Sequence, residues 1–152
     1  MRHCVGLVIA TKLPHLGWAA IMQRRGVYDP EHMDWETFPG EFQVTVYGCI
    51  SSQADTCFIN AVGREACEEL GPAVGEIVEA RRDELKLISR QEDGRRLALL
   101  YGLILEDPSW LQKVRLHPAS GGLYPLNAQQ QPPGAIYFDG HKQAAFIALS
   151  FV

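Results

Sequence analysis

The stretch Arg64-Glu65-Ala66-Cys67-Glu68-Glu69-Leu70-Gly71 places three carboxylates within five residues and then stops at a glycine. On a helix advancing about 100° per residue, Glu65 and Glu69 lie one turn apart on the same face. With Phe58 at zero, Val62, Ala66 and Leu70 step round at roughly 40°, 80° and 120°, with Ile59 at roughly 100°. Glu69 then falls at roughly 20° and Glu65 at roughly 340°, on the edge of the apolar stripe rather than opposite it. Carboxylates held there repel each other and lose hydration unless something positive compensates. Two readings stay open on geometry alone. One is a divalent cation held by oxygen ligands; the other is a solvated acidic patch on an ordinary helix.

Working outward, the chain reads as alternating strands and helices. Cys4–Thr11 and Gly17–Gln23 are strands joined at Leu13-Pro14-His15. Residues 26–39 are loop-like, with turn signals at Tyr28-Asp29-Pro30 and Phe38-Pro39-Gly40. Gln43–Tyr47 alternates as a strand, and Ser51–Asp55 is a polar loop in which Asp55 or Thr56 is available to cap the next helix. That helix runs from about Cys57 to Leu70, and Gly71-Pro72 ends it by left-handed geometry followed by a residue that cannot continue it. Val74–Arg82 reads as a short second helix. Leu85–Arg90 and Arg95–Leu105 form a hairpin around Glu92-Asp93-Gly94. Trp110–Leu116 fits helix or strand. Residues 119–134 read as a long surface loop, and Ile136–Phe138 and Gln143–Phe151 flank another Asp-Gly turn.

Composition narrows the function. A chain of 152 residues with 47% hydrophobic content builds one core, so residues 1–152 are expected to form a single domain. The net charge of −4 argues against a nucleic-acid coat. Arg24-Arg25, Arg81-Arg82 and Arg95-Arg96 are small basic spots that suit a phosphate or plain solvent. Cys4, Cys49, Cys57 and Cys67 show no metal or disulfide spacing, so reduced thiols in a cytoplasm are expected, with Cys67 as filler rather than nucleophile. The apolar runs Val5–Ala10 and Ala144–Val152 are too short to cross a membrane. The five histidines form no i, i+4 pair, and none is assigned a metal.

Arg64, Glu65, Ala66, Glu68, Glu69 and Gly71 resemble the second half of the Nudix box, and Trp35-Glu36-Thr37-Phe38-Pro39-Gly40 is similar to the Trp-x-x-Phe-Pro-Gly approach of those domains. The box departs from the pattern elsewhere: Pro72 replaces the final aliphatic residue, and Ile50 and Thr56 stand where Gly and Glu are expected. Gly48 comes two residues early, and Asp55 is the nearest acid. The resemblance implies an α/β/α sandwich around a mixed sheet, and hydrolysis of a diphosphate linkage in a nucleoside diphosphate derivative with Mg²⁺ or Mn²⁺. Glu65 and Glu69 would ligate the metal and carry catalysis, with Glu68 a third or water-mediated ligand, and Arg64 would orient the carboxylates or tie the helix to the preceding loop. An acid from outside the box is expected at Glu106 or Asp107, with Glu92 and Asp93 as further candidates. Arg24, Arg25 and Trp35 are the expected substrate contacts, and Trp18 and Tyr101 are further stacking candidates. The partner is a small nucleotide or diphosphate, and a homodimer is compatible. A second reading, motivated by Ile50 and Thr56, is a Nudix-like domain that binds a nucleotide or protein without efficient turnover.

Overall fold

The computed structural model describes residues 2–50, 57–136 and 139–152. The expectations for Ser51, Asp55, Thr56 and Phe138 fall outside them. The chain begins with the hairpin β1 (Arg2–Leu13) and β2 (Gly17–Arg25), followed by a two-residue ribbon, β3 (Tyr28–Asp29) and β4 (Asp34–Trp35). Next come β5 (Phe42–Gln43), β6 (Val46–Cys49), and the helices α1 (Phe58–Leu70) and α2 (Pro72–Ala80). The hairpin β7 (Lys86–Glu92) and β8 (Arg96–Ile104), then β9 (Ser120–Leu126) and α3 (Asp139–Leu149) complete it. Seven strands form one mixed sheet, in which β1 and β8 run parallel and the other pairs antiparallel.

β1 is buried on both faces, and its alternation assigns each side chain to a layer. Val5, Leu7 and Ile9 pack with Val62, Ala66 and Leu70 of α1 and with Val74 and Val78 of α2. Val8, with Ala20, Met22 and Leu100, packs instead on Ala144, Ala145 and Ala148 of α3. Two apolar layers on opposite faces of one sheet make an α/β/α sandwich. Among the described residues, no helix is long and apolar enough to cross a membrane.

The sheet is forked. β1 and β2 pair only from Ala10↔Ala20 to Leu13↔Gly17. Beyond that they part, and residues 42–49 fill the gap. β5 pairs with β2 through Gln23↔Gln43, and β6 pairs with β1 from Leu7↔Val46 to Cys4↔Cys49. At the fork, the Thr45 hydroxyl accepts from the Ile9 N–H at 2.9 Å and donates to the Ile21 carbonyl at 2.5 Å. Both backbone groups sit where the hairpin ladder has ended, so one side chain replaces the missing strand contact. Val44, beside it, donates its N–H to Nδ1 of His141 at 3.1 Å.

Three local readings need correction. β9 occupies residues read as surface loop, because it pairs with the outer edge of β2 from Ala20↔Leu126 to Arg25↔Ser120. Gly121, Gly122 and Pro125 erase the alternation, and an edge strand tolerates such residues. Asp139-Gly140 does not close a turn; it opens α3, whose buried Ala144, Ala145 and Ala148 follow helical rather than strand spacing. Gly71 has φ 94° and ψ 163°, outside the left-handed helical region, and Pro72 begins α2 at once. The last carbonyls of α1 are instead taken by the following chain, Arg115 N–H to Leu70 O at 2.8 Å and His117 N–H to Glu69 O at 3.2 Å. Smaller differences are the ribbon within residues 26–39 and a 3-10 turn at Pro108–Lys113.

Two stability predictions follow from the fork. Thr45→Val keeps the shape but strips partners from two buried backbone groups. It should cost roughly 2–4 kcal/mol in urea unfolding, with Thr45→Ser much milder; a loss below about 1 kcal/mol would contradict the role given to the hydroxyl. The second concerns His141, which burial, with the charges of Arg96 and Arg25, holds down to about 3. A base depressed in the fold gives stability that is present above its ordinary value of 6.5 and lost as pH falls towards 3. The slope should approach about 1.4 kcal/mol per pH unit at most. His141→Asn should be less stable at pH 7 yet show a shallower loss between pH 7 and 5, measured by urea unfolding at each pH. Equal slopes in the two proteins would refute the linkage.

Candidate metal and catalytic site

The fork delivers three hydrogen-bond donors to the end of α1. Gln23 and Gln43, register partners across β2 and β5, aim their amides at Oε1 of Glu69 at 3.0 and 3.4 Å. The Tyr47 N–H reaches both oxygens of the same carboxylate, at 3.5 and 3.3 Å. Gln23 is itself fixed by donating to the Thr45 carbonyl at 2.8 Å. All three donors are neutral, so they hold the carboxylate without cancelling its charge.

Glu65, one turn back, is only 7% exposed. Its carboxylate lies against Gly48, where an added Cβ would stand 2.2 Å from Oε2. Only a glycine lets β6 pass this close to the acid. Arg64 is the cationic neighbour: its Nη1 is 3.0 Å from Glu65 and 3.1 Å from Glu68, and its Nη2 donates to the Cys49 carbonyl at 3.2 Å. The guanidinium therefore reaches back both to the carboxylates and to β6.

Glu65 and Glu69 hydrogen-bond to each other. Burial and the neighbouring Glu65 charge push Glu69 well above the ordinary carboxylate range. Burial raises Glu65 as well, opposed chiefly by Arg64. The pair thus favours one shared proton over two charges. A divalent cation fits this donor set, because hard oxygen ligands beside a glycine cradle would exchange a shared proton for a larger positive charge.

Glu68 and Glu69 line a cavity of about 540 Å³ together with Arg24, Arg25 and Tyr47. Arg25 is anchored in its wall, donating to the Thr37 carbonyl at 2.7 Å and to Gln43 at 2.9 Å, and pairing with Glu36 at 3.3 Å. Arg24 donates to the Gly40 carbonyl at 3.2 Å. Trp35 is 72% exposed on the ribbon and packs edge-on against Tyr28, outside the cavity lining. Glu106 is not brought to this cavity. It follows β8 beside Lys12, with Asp107 in a separate hollow lined by Ile77 and Trp110. From Gly6, the partner of Tyr47, to Lys12 is six strand residues, or roughly 20 Å. Glu92 and Asp93 belong to another hollow, Trp18 to a third, and Tyr101 packs on the core.

The sequence reading missed a second polar group. Asp29, Glu31 and His117 place one ligand atom each within 4.8 Å of one another on the cavity lining. His117 Nε2 lies 2.6 Å from Glu31, 86 positions away. No spacing rule could find that contact, since it depends on residues 115–117 crossing the end of α1. Gln23 and Gln43 are likewise brought together by the tertiary structure, as buried register partners across β2 and β5.

No protein-family model and no curated protein matches the chain. Solved structures do. An Ap4A hydrolase from C. elegans, solved as a binary complex, superposes with a TM-score of 0.64 at 13% identity, covering 99% of this chain and 97% of that one. A mutT/nudix family protein from Listeria innocua gives 0.64 at 18% identity, with 99% and 94% covered. The C-terminal domain of mouse MUTYH, in complex with human PCNA, gives 0.59 at 11% identity, with 99% and 89% covered. At such identities the likeness is one of architecture, and the architecture of this chain is the Nudix fold.

Proposed function

We propose that this protein is a Nudix-type pyrophosphohydrolase that cleaves a diphosphate linkage in a nucleoside diphosphate derivative with Mg²⁺ or Mn²⁺. The observation that carries the reading is the Glu65–Glu69 pair, one turn apart on α1 and held by Gly48 and neutral donors at the edge of a cavity large enough for a nucleotide. Glu65 and Glu69 would hold the ion, with Glu68 exposed beside them. When bound, a divalent cation neutralises charge building on phosphate oxygens and helps activate water. Gln23, Gln43 and the Tyr47 N–H orient the Glu69 carboxylate, and Arg64 keeps Glu65 and Glu68 facing one another. Asp29 and Glu31 line the cavity, so an acid from outside the box is better sought there than at Glu106. Arg24 offers positive charge to the substrate, while Arg25 holds the wall in place. A cytoplasm with free nucleotides is the setting this reading assigns.

A second reading, a domain that binds a nucleotide or protein with little turnover, rests on Ile50 and Thr56 standing where the box expects glycine and glutamate. The C-terminal domain of mouse MUTYH, similar in architecture, was solved in complex with human PCNA, which supports this reading. A panel of nucleoside triphosphates, dinucleoside polyphosphates and nucleoside diphosphate sugars, with and without Mg²⁺ or Mn²⁺, separates the two. Metal-dependent release from at least one compound is expected, and silence across the panel would favour the binding module.

Glu69→Gln tests the ion site itself. The glutamine oxygen can still accept from Gln23 and Tyr47, while its NH₂ donates to Glu65. In EDTA the variant should therefore keep or slightly raise its Tm, because the amide supplies the hydrogen bond that the shared proton made. The wild type should gain stability with Mg²⁺, by about 2.7 kcal/mol at one hundred times Kd. The variant should lose most of that gain and hydrolyse orders of magnitude more slowly. An unchanged Mg²⁺ shift would remove Glu69 from the ligand set.

A further inference from the structure

Cys4 and Cys49 have no sequence spacing that announces them, yet they are register partners across β1 and β6. Their sulfurs stand 3.2 Å apart, and both are free thiols. The Ile50 N–H donates to the His3 carbonyl at 2.9 Å, and those two residues are the next pair along the ladder. Hydrogen-bonded and non-hydrogen-bonded pairs alternate in an antiparallel ladder, so Cys4 and Cys49 occupy a non-hydrogen-bonded pair. Cα atoms there are about 4.5 Å apart, with the side chains close on one face. A disulfide spans about 4.4–6.8 Å between Cα atoms, so this site accepts one without moving the strands. The sulfurs need only close by roughly 1 Å.

The two thiols differ in ways that fix their roles. Cys4 is 1% exposed, whereas Cys49 is half-buried and reachable. The hydrogen bond between the two sulfurs, with help from Arg2 and Arg96, lowers the Cys49 thiol, while that same bond and burial push Cys4 up. A reachable sulfur beside guanidinium groups, with a protonated thiol in contact, is the arrangement of an attacking and a resolving cysteine.

We propose that Cys4 and Cys49 form an oxidisable pair, in which a hydroperoxide converts Cys49 to a sulfenic acid and Cys4 resolves it to a reversible cross-strand disulfide. In the first step the Cys49 thiolate attacks a peroxide oxygen, the O–O bond breaks and hydroxide leaves. In the second the Cys4 sulfur attacks Cys49, the S–O bond breaks, and the Cys4 proton departs with the oxygen as water. Overall, two thiols and one H₂O₂ give one disulfide and two waters. A small thiol returns the pair to the reduced state. The site is independent of the hydrolase reading, although it adjoins it: Cys49 follows Gly48, and its carbonyl accepts from Arg64.

The test is stoichiometric H₂O₂ on the intact folded protein, followed by alkylation, non-reducing digestion and mass spectrometry. The expected product is a Cys4–Cys49 linkage that dithiothreitol reverses, with Cys57 and Cys67 alkylated as free thiols. In Cys4→Ala, Cys49 should instead accumulate as a dimedone-reactive sulfenic acid or pass on to the sulfinic acid. In Cys49→Ser, Cys4 should stay reduced. Absence of the Cys4–Cys49 linkage in the wild-type protein would overturn the proposal, whether Cys49 stays reduced or is overoxidised. So would a linkage in the wild type that involves Cys57 or Cys67 in preference. Since that result rests on the wild-type chain, misfolding of either variant does not remove it.

Discussion

The fork between β1 and β2 is the constraint on which the rest of this structure depends. A hairpin that stayed paired along its whole length would leave no room for residues 42–49 inside the sheet. Because it opens beyond Ala10 and Ala20, one short segment pairs first with β2 and then with β1. Thr45 makes the crossing tolerable by serving two strands with one hydroxyl. The consequence is positional: Gln43, the Tyr47 N–H and Gly48 arrive in sequence beneath α1, spaced to meet Glu69 and Glu65. The acidic helix would otherwise face plain apolar strand.

That placement explains why two carboxylates can sit in such a poor environment. Neutral amide donors compensate lost hydration at Glu69 without a formal charge, and Arg64 serves mainly Glu65 and Glu68. A second arginine in place of Gln23 would have stabilised the metal-free protein further, because a buried carboxylate paired with a cation returns to its ordinary range or below. It would also have competed with any added ion. The pattern of donors preserves an unmet demand for positive charge.

The sequence carried the parts of the fold whose pattern is local. β1, β2, the β7–β8 hairpin and α1 all follow from alternation, an Asp-Gly turn, or apolar spacing with a glycine stop. The parts it hid are those fixed by distant partners. β9 contains Gly121, Gly122 and Pro125, and becomes a strand only because β2 offers a free edge. α3 buries small residues, Ala144, Ala145 and Ala148, which declare little about which face is buried until Val8 and Met22 lie opposite. The site divides the same way. The placement of Glu65 and Glu69 on one face was legible from the turn of one helix, whereas His117 meets Glu31 through a tertiary crossing. Glu106 looked well placed at a strand end, but in a parallel β1–β8 pair that end points away from the fork.

Charge balance in the cavity bears on how a substrate could enter it. The lining carries five carboxylates, Asp29, Glu31, Glu36, Glu68 and Glu69, against two arginines, Arg24 and Arg25. Arg25 is paired with Glu36 and Arg64 with Glu68, while His32 and His117 lie 2.6 Å from Asp29 and Glu31, so most of these acids already have a partner although carboxylates still outnumber guanidinium groups. Near a protein surface, like charges about 4 Å apart repel by about 4 kcal/mol at an effective dielectric constant of 20. A bare diphosphate would meet that repulsion wherever these pairs leave carboxylate charge open, which disfavours an anion entering alone. The same lining suits an anion that arrives with divalent cations, since each ion would offset both phosphate and carboxylate charge. The acidic excess therefore bears on both readings: a hydrolase that works with metal-bound nucleotides accounts for it, whereas a module binding metal-free nucleotides would have to overcome it.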